Sequence, residues 1–214
     1  MTVTLFGLQR SVYTRVARLA LAEKQVPHAL CEVEIFDPDG VPPAHLARHP
    51  FGRIPALDHD GFVLYETSAI TRYVDEAFDG PALQPCDPAQ RARMNQVIGV
   101  LDAYAYRPLV WGVFVQRVRL PFQGQATDED QVRRSLTAAD TVLGVLERWA
   151  GDGESLCGAA LTLADLHAYP MLRYFSLTPE GDAALQRHPR LAAWLARMQS
   201  RPSVMATRTV YEDR

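Results

Sequence analysis

Cysteine is scarce in this chain of 214 residues: there are three, Cys31, Cys86 and Cys157. They lie far apart, form no C-x-x-C pair and join no histidine at metal-ligand spacing. That excludes a disulfide framework, a dithiol redox motif and a zinc site. An odd, sparse set of thiols points to a reducing compartment. Lysine is rarer still. Of 22 cations, 21 are arginine and Lys24 is the sole lysine. The arginines are scattered, so the bias reads as the codon usage of a GC-rich genome, not as a binding surface. A basic excess is also missing. With a net charge of −3 and a pI near 6.1, nothing drives the chain onto nucleic acid or an anionic membrane. Long hydrophobic runs are absent too. The most apolar stretch, residues 97–115, is broken by Asp102, Arg107 and Pro108, whereas spanning a bilayer takes about 18 uninterrupted apolar residues. The first short apolar run is interrupted by Gln9 and Arg10, which is not a signal-peptide layout. The expectation is a soluble, cytoplasmic protein without a metal.

What is present is ordinary in amount, with 48% hydrophobic residues, enough to fill a sizeable core. Its order is informative. Residues 2–7 (TVTLFG) read as a strand, and Val12, Val16, Leu19 and Ala20 then recur on one face of a helix starting near Ser11. Residues 29–35 (ALCEVEI) read as a second strand. Residues 37–43 are rich in Pro and Gly and read as a loop. Residues 54–57 and 62–64 flank the hairpin-type turn His59-Asp60-Gly61, and a helix with Ile70, Tyr73, Val74 and Ala77 on one face follows. Residues 80–88 (GPALQPCDP) carry three prolines and read as a linker. Beyond it no strand-length β pattern occurs. Val132, Leu136, Ala139, Leu143 and Leu146 form one helical stripe, and Leu191, Trp194, Leu195 and Met198 another. The change from α/β to all-helical at a Pro-rich junction marks a domain boundary.

Two segments carry chemistry. In Gly52-Arg53-Ile54-Pro55-Ala56-Leu57 the Ile-Pro bond, between a loop and a short strand, is a candidate cis peptide. A cis proline would turn the preceding backbone into a hydrogen-bonding edge for an extended peptide; a trans proline at a strand start is the plain alternative. In Leu64-Tyr65-Glu66-Thr67-Ser68-Ala69-Ile70, a strand gives way to a helix at Glu66 and Thr67. Free N–H groups and the helix dipole suit a carboxylate there, the Thr67 hydroxyl adds a donor, and Glu66 can accept from an ammonium. Together they suit an amino-acid zwitterion. A simple N-cap with an acidic neighbour is the alternative.

These motifs, G-x-I-P-A-L followed by L-x-E-[ST]-x-A-I, resemble the glutathione-binding half of the glutathione transferase family. The segment from Ser11-Val12-Tyr13-Thr14-Arg15 to Val26-Pro27 resembles that family's catalytic segment and first helix. Gly158 with Leu161-Thr162-Leu163-Ala164-Asp165-Leu166 resembles its helical-domain capping motif, and Arg201-Pro202-Ser203 its closing helix. The resemblance, to a cytosolic, serine-dependent and bacterial-like member, covers nearly the whole chain in order. It implies a thioredoxin-like α/β domain at residues 1–80, a linker at 81–88, and an all-α domain at 89–214 that takes the electrophile. It implies a cytoplasmic homodimer acting in detoxification, with glutathione as co-substrate and no cofactor. By position, Ser11 matches the hydroxyl that contacts the glutathione sulfur. Ile54 matches the residue whose backbone pairs with the cysteinyl unit, Pro55 the cis proline, and Glu66 and Thr67 the γ-glutamyl contacts. Similar members carry basic residues near 40–41 for the glycine carboxylate, where this chain has Gly40 and Val41. Arg53 could supply the charge, with Arg48 and His49 as neighbours able to do so.

Ser11 also reads as a helix cap, and the two roles are compatible. The absence of Cys at position 11 argues against glutaredoxin-like exchange. Phe6 cannot supply a phenol, whereas Tyr13 could donate in place of Ser11. Thr162 and Asp165 read as a structural capping box, Cys31 as core and Cys86 as exposed. The six histidines read as surface or loop residues. Tyr104, Tyr106, Trp111, Phe114 and Val115 lie on one long helix disturbed at Pro108. In the family the equivalent helix lines the electrophile pocket, which implies a flat, apolar substrate met by Tyr104, Tyr106, Trp111 and Val115. Asp102 is a candidate to reach the glutathione ammonium across a dimer. The implied activity is conjugation of the glutathione thiolate to small electrophiles. A non-catalytic binding module, or a glutathione-dependent peroxidase or dehalogenase on the same site, are the alternatives.

Overall fold

The computed structural model describes residues 1–150 and 154–212. Its contacts divide into two compact units: Met1–Leu83 with the segment from Pro202 onward, and Gln84–Arg201.

The first unit is built on a four-stranded sheet in the order β2-β1-β3-β4, comprising β1 (Val3–Phe6), β2 (Ala29–Cys31), β3 (Ala56–His59) and β4 (Phe62–Tyr65). β2 runs parallel to β1, which forces a helical crossover, α1 (Val12–Glu23); β3 and β4 are antiparallel additions. The β3–β4 hairpin closes through Asp60 and Gly61, both at positive φ (50° and 91°), as a two-residue turn matched to strand twist requires. β2 stops at Cys31, four residues short of the segment the sequence marks as a strand, although Gly7 still donates to the Cys31 carbonyl at 3.0 Å and accepts from the Val33 N–H at 3.3 Å. Cys31 is exposed at the end of this edge strand, not core. After the short α2 (Pro43–Leu46), α3 (Thr67–Ala77) packs with α1. The shared core of Leu5, Val16, Leu19, Leu57, Ile70 and Val74 is fully buried.

The second unit is helical: α4 (Pro88–Val100), α5 (Leu101–Arg119), α6 (Leu120–Phe122), α7 (Glu129–Ala150), α8 (Leu163–Ser176), α9 (Pro179–Gln186) and α10 (Pro189–Gln199). Asp87 caps α4 by accepting from the Gln90 N–H at 2.9 Å. The helix does not break at Pro108. From Leu101 it continues with the wider π winding, and the N–H of Leu120 still reaches back five residues to the Val115 carbonyl. A wider turn accommodates a residue without an N–H at the cost of helical regularity. At Gly112 any Cβ would overlap Ser135, so glycine there lets α7 approach α5 closely. Along α7, Val132, Ala139, Leu143 and Leu146 are buried as the stripe predicts, while Leu136 is half-buried. The capping box at α8 is present. The Asp165 carboxylate accepts from the Leu156 and Thr162 N–H groups, the Thr162 hydroxyl and the Trp194 indole, all at 2.8–2.9 Å. Burial pushes this carboxyl above the ordinary range, and those four donors pull against the shift.

The last helix, α11 (Pro202–Ala206), packs on α1 in the first unit, not with the helical one. Arg15 of α1 pairs with Glu212 at 2.6 Å, the two side chains 0% and 3% exposed. Glu212 also accepts from the Thr209 N–H at 3.0 Å. The sequence reading that runs the second domain from 89 to 214 thus differs from the structure over its final segment. The tie spans 197 positions, beyond any local pattern.

Candidate functional site

Sheet register assembles the site. Phe6 lies opposite Ala56, and Ala56 opposite Tyr65. The segments that run on from Phe6 to Ser11, into Ala56 from Ile54-Pro55, and out of Tyr65 to Glu66-Thr67 therefore leave the same end of three adjacent strands. Residues separated by more than fifty positions in the chain become neighbours through backbone pairing alone.

Each is held by local structure. Ser11 takes an extended conformation (φ −75°, ψ 132°) and caps α1, its Oγ accepting from the Thr14 N–H at 3.3 Å. Gly7 makes this turn possible, since a Cβ there would overlap the Thr14 hydroxyl. Ser11 and Tyr13 are half-buried. The Ile54–Pro55 bond is cis, as the family resemblance implies. Pro55 is buried, and Ile54 packs against the cluster of Phe6, Val33 and Ala56. Glu66 is exposed at φ 68°, ψ 116°, a region that a residue with a side chain occupies only when its surroundings impose it. Its side chain makes no cap bond, so no N-cap side chain covers the start of α3, and Thr67 is 7% exposed there. An uncapped helix start with an adjacent hydroxyl is an anion site, and Glu66 adds a negative charge at its edge.

Arg53 projects into solvent, but its backbone is fixed: His45 Nε2 donates to the Arg53 carbonyl at 2.7 Å. Arg48 lies over the Phe6 ring, 4.1 Å from its centroid. Two histidines read as surface residues are core here. His45 is 1% and His49 2% exposed. The His49 ring sits 4.7 Å from that of Tyr65 and 6.2 Å from those of His45 and Phe51. Burial holds the His49 imidazole below its ordinary pKa against the attraction of Glu66, with the His45 and Arg53 charges acting the same way as burial. Burial thus favours the neutral form of His49 and makes it a poor cation for a carboxylate. The only sequence signal for this was the spacing of two histidines one helical turn apart, which reads equally well as a solvated face.

In the helical unit Phe114 is 2% and Val115 6% exposed, and Phe114 stacks on Tyr174 at 4.3 Å. Tyr104 is 65% exposed, and Tyr106 and Trp111 are half-buried. Asp102 accepts from, or pairs with, His167 Nε2 at 2.8 Å within its own unit. His167 is 1% exposed, a third buried histidine.

Among the described residues no group of three or more metal-ligating side chains occurs, and no helix is long and apolar enough to cross a membrane.

Comparison with known proteins matches this architecture. Residues 5–82 fit the model for the glutathione S-transferase N-terminal domain, and residues 106–202 that for its C-terminal domain. The chain is 30% identical to glutathione S-transferase F13 of Arabidopsis thaliana over 207 residues, covering 96% of this chain and 94% of that protein. It is 28% identical to glutathione S-transferase F7 of the same plant over 202 residues, 94% of this chain and 96% of that one. Among solved structures, glutathione S-transferase III in its apo form superposes with a TM-score of 0.87 at 28% identity, covering 97% and 95% of the two chains. Glutathione transferase F7 from Populus trichocarpa superposes at 0.85 and 28%, covering 96% and 97%. A thioredoxin-like first unit, an all-helical second unit and relatives matched over nearly their full length place the chain in the glutathione S-transferase family.

Proposed function

We propose that the chain conjugates glutathione to small, largely apolar electrophiles, with Ser11 holding the reacting sulfur. The observation that carries this is the sheet row Phe6, Ala56, Tyr65, which gathers Ser11, the Ile54–Pro55 edge and the Glu66–Thr67 helix start at one end of the sheet. An extended γ-glutamyl tripeptide finds complementary groups there. Its α-carboxylate suits the start of α3 and the Thr67 hydroxyl, its ammonium suits Glu66, its cysteinyl backbone suits Ile54, and its glycine carboxylate suits Arg53. Ser11 uses an acceptor lone pair for the Thr14 N–H, which leaves its own O–H to donate to sulfur. The thiol proton leaves to solvent. The thiolate then attacks the electrophilic carbon, a C–S bond forms, and the leaving group departs with its electron pair. No side chain of the protein becomes covalently modified.

Tyr104, Tyr106 and Trp111, which keep accessible aromatic surface, are the residues proposed to meet the electrophile, with Val115 contributing from behind them. Flat apolar compounds suit such a surface. The pairing of the exposed Asp102 with the buried His167 weighs against Asp102 as the ammonium contact. Membership of the family supports a cytoplasmic homodimer with a role in detoxification, and the unpaired Cys31, Cys86 and Cys157 fit a reducing compartment.

Retention on immobilised glutathione followed by turnover of an aryl halide tests the activity. Retention without turnover would select a binding module instead, and turnover of a hydroperoxide but not the halide a peroxidase. Light scattering at micromolar concentration tests the dimer against the chain mass of 23.9 kDa.

A further inference from the structure

His45 is 1% exposed, an uncommon place for an imidazole, which gives up water on burial where an apolar side chain gives up none. Among the described residues its side chain makes one hydrogen bond, to the Arg53 carbonyl at 2.7 Å. A carbonyl only accepts, so Nε2 carries the proton and donates.

The stretch before Ile54 needs such a bond. Pro50, Phe51 and Arg53 are exposed and Gly52 is half-buried, so residues 50–53 bury no side chain that would hold them down. Ile54 is the first residue to pack, against Phe6, Val33 and Ala56. Two hydrogen bonds fix what precedes it. The Gly52 N–H donates to the His49 carbonyl at 2.9 Å, which closes the turn on its near side. The bond from His45 closes it on the far side, at the last residue before Ile54. His49 ties the same segment to the neighbouring one: its N–H donates to the His45 carbonyl at 2.8 Å, and its ring lies 4.7 Å from that of Tyr65, the residue before Glu66.

The Arg53 carbonyl and the Ile54 N–H belong to one peptide unit. That unit is trans, since the cis bond is the next one, Ile54–Pro55. In a planar trans peptide the C=O and the N–H point in opposite directions. Holding the carbonyl toward the buried His45 therefore turns the Ile54 N–H away from α2.

We propose that His45 is a positioning residue for the peptide substrate: by holding the Arg53 carbonyl it aims the Ile54 N–H at the cysteinyl carbonyl of bound glutathione, an inference that rests on this end of the sheet being the glutathione site. A peptide unit released from His45 has to be ordered by the ligand, and that cost falls on affinity, not on the chemical step. Ser11 lies on the segment after β1, outside the unit, so turnover at saturation is preserved.

Calorimetry with glutathione and turnover of a chlorodinitrobenzene at saturating glutathione read the two effects separately. His45→Phe keeps a ring and removes the donor; it should weaken glutathione about three- to tenfold with kcat unchanged. His45→Gln, whose amide nitrogen reaches about as far as Nε2, should recover most of the affinity. In an Arg53→Gln background His45→Phe should cost the same factor, because the effect runs through the peptide unit and not the guanidinium. Unaltered affinity in a folded His45→Phe, a loss that His45→Gln does not recover, or a loss that vanishes with Arg53→Gln would overturn the proposal. Proton–nitrogen correlation spectra of the wild-type imidazoles test it without any variant: His45 should be protonated on Nε2, and a proton on Nδ1 instead would remove the bond and the proposal with it. A wild type that binds no glutathione would overturn the reading of the site itself, whereas variants that match a binding wild type would overturn the role of His45 alone.

Discussion

Ser11 Oγ lies 3.3 Å from the backbone N–H of Thr14, so the hydroxyl proposed to hold the sulfur also closes the first turn of α1. A hydroxyl can accept and donate at once, and the two duties separate by experiment. A free thiol titrates near about 8.5, and a hydrogen bond to the charged sulfur worth roughly 1.5–3 kcal/mol lowers that by about 1–2 units. Ser11→Ala should cut conjugation at about pH 6.5 by about 10- to 100-fold, with most of the loss restored near about pH 9, where the thiol ionises unaided. Lost capping alone would cost about 1 kcal/mol of stability and leave turnover in the folded fraction near normal. Thiolate absorbance against pH in both proteins decides; coincident curves would leave Tyr13 or backbone donors as the sulfur contact.

Arg53→Gln should raise the KM for glutathione with little effect on kcat. The side chain is exposed, so its carboxylate contact is worth less than about 1 kcal/mol, or at most about a fivefold rise. His45 anchors the Arg53 backbone, so the loop should keep its place. An unchanged KM would shift the role to Arg48.

Asp165→Ala strands the Leu156 and Thr162 N–H groups, the Thr162 hydroxyl and the Trp194 indole in a fully buried setting. Unfolding in urea should show a loss of about 3–5 kcal/mol, since each buried donor left without an acceptor costs about 1–3 kcal/mol and some of them can relax. Asp165→Asn, which keeps one acceptor oxygen, should lose less. A midpoint near wild type for Asp165→Ala would refute the assignment.

His49 gives a pH dependence whose sign is fixed. Its folded pKa is below the usual 6.5, so between the two values the unfolded chain binds the extra proton and stability rises with pH. The contribution is complete above the unfolded value and is lost as pH falls through the folded one. His49→Phe, which retains a ring against Tyr65, should flatten stability between about pH 5 and pH 7. Urea midpoints across that range that run parallel to wild type would contradict it.

The three thiols should react in two classes. Cys31 and Cys86 are exposed. Burial, then the Asp165 charge, pushes the Cys157 thiol up to about 12, leaving roughly one part in ten thousand as thiolate at about pH 8. A chromogenic disulfide should therefore titrate two thiols quickly in the native protein and the third only on unfolding. Three equal rates would contradict this.

Local sequence was enough for much of the molecule. The β-to-α order of the first unit, the turn at Asp60-Gly61, the helix start at Ser11, the capping box at Thr162 and Asp165, and the stripe through Leu143 and Leu146 all follow from periodicity and residue-specific backbone preference. Those forces act over a few positions, so they are written in short segments. The site motifs were legible in part for the same reason: Ile54-Pro55 marks a candidate cis bond and Glu66-Thr67 a strand-to-helix junction within two or three residues, whereas the positive φ of Glu66 is imposed by its surroundings.

What tertiary structure alone decided is where distant segments meet. The row Phe6, Ala56, Tyr65 is a matter of strand register. Cys31 is exposed because its strand lies at the edge of the sheet, not because of its own residue type. His45, His49 and His167 were polar residues at unremarkable positions until surrounding side chains took their water away, and that desolvation, not their spacing, sets the charge of His49. The buried pair of Arg15 and Glu212 returns the end of the chain to the first unit. Each of these depends on packing between residues far apart in the chain, and a one-dimensional pattern carries no term for it.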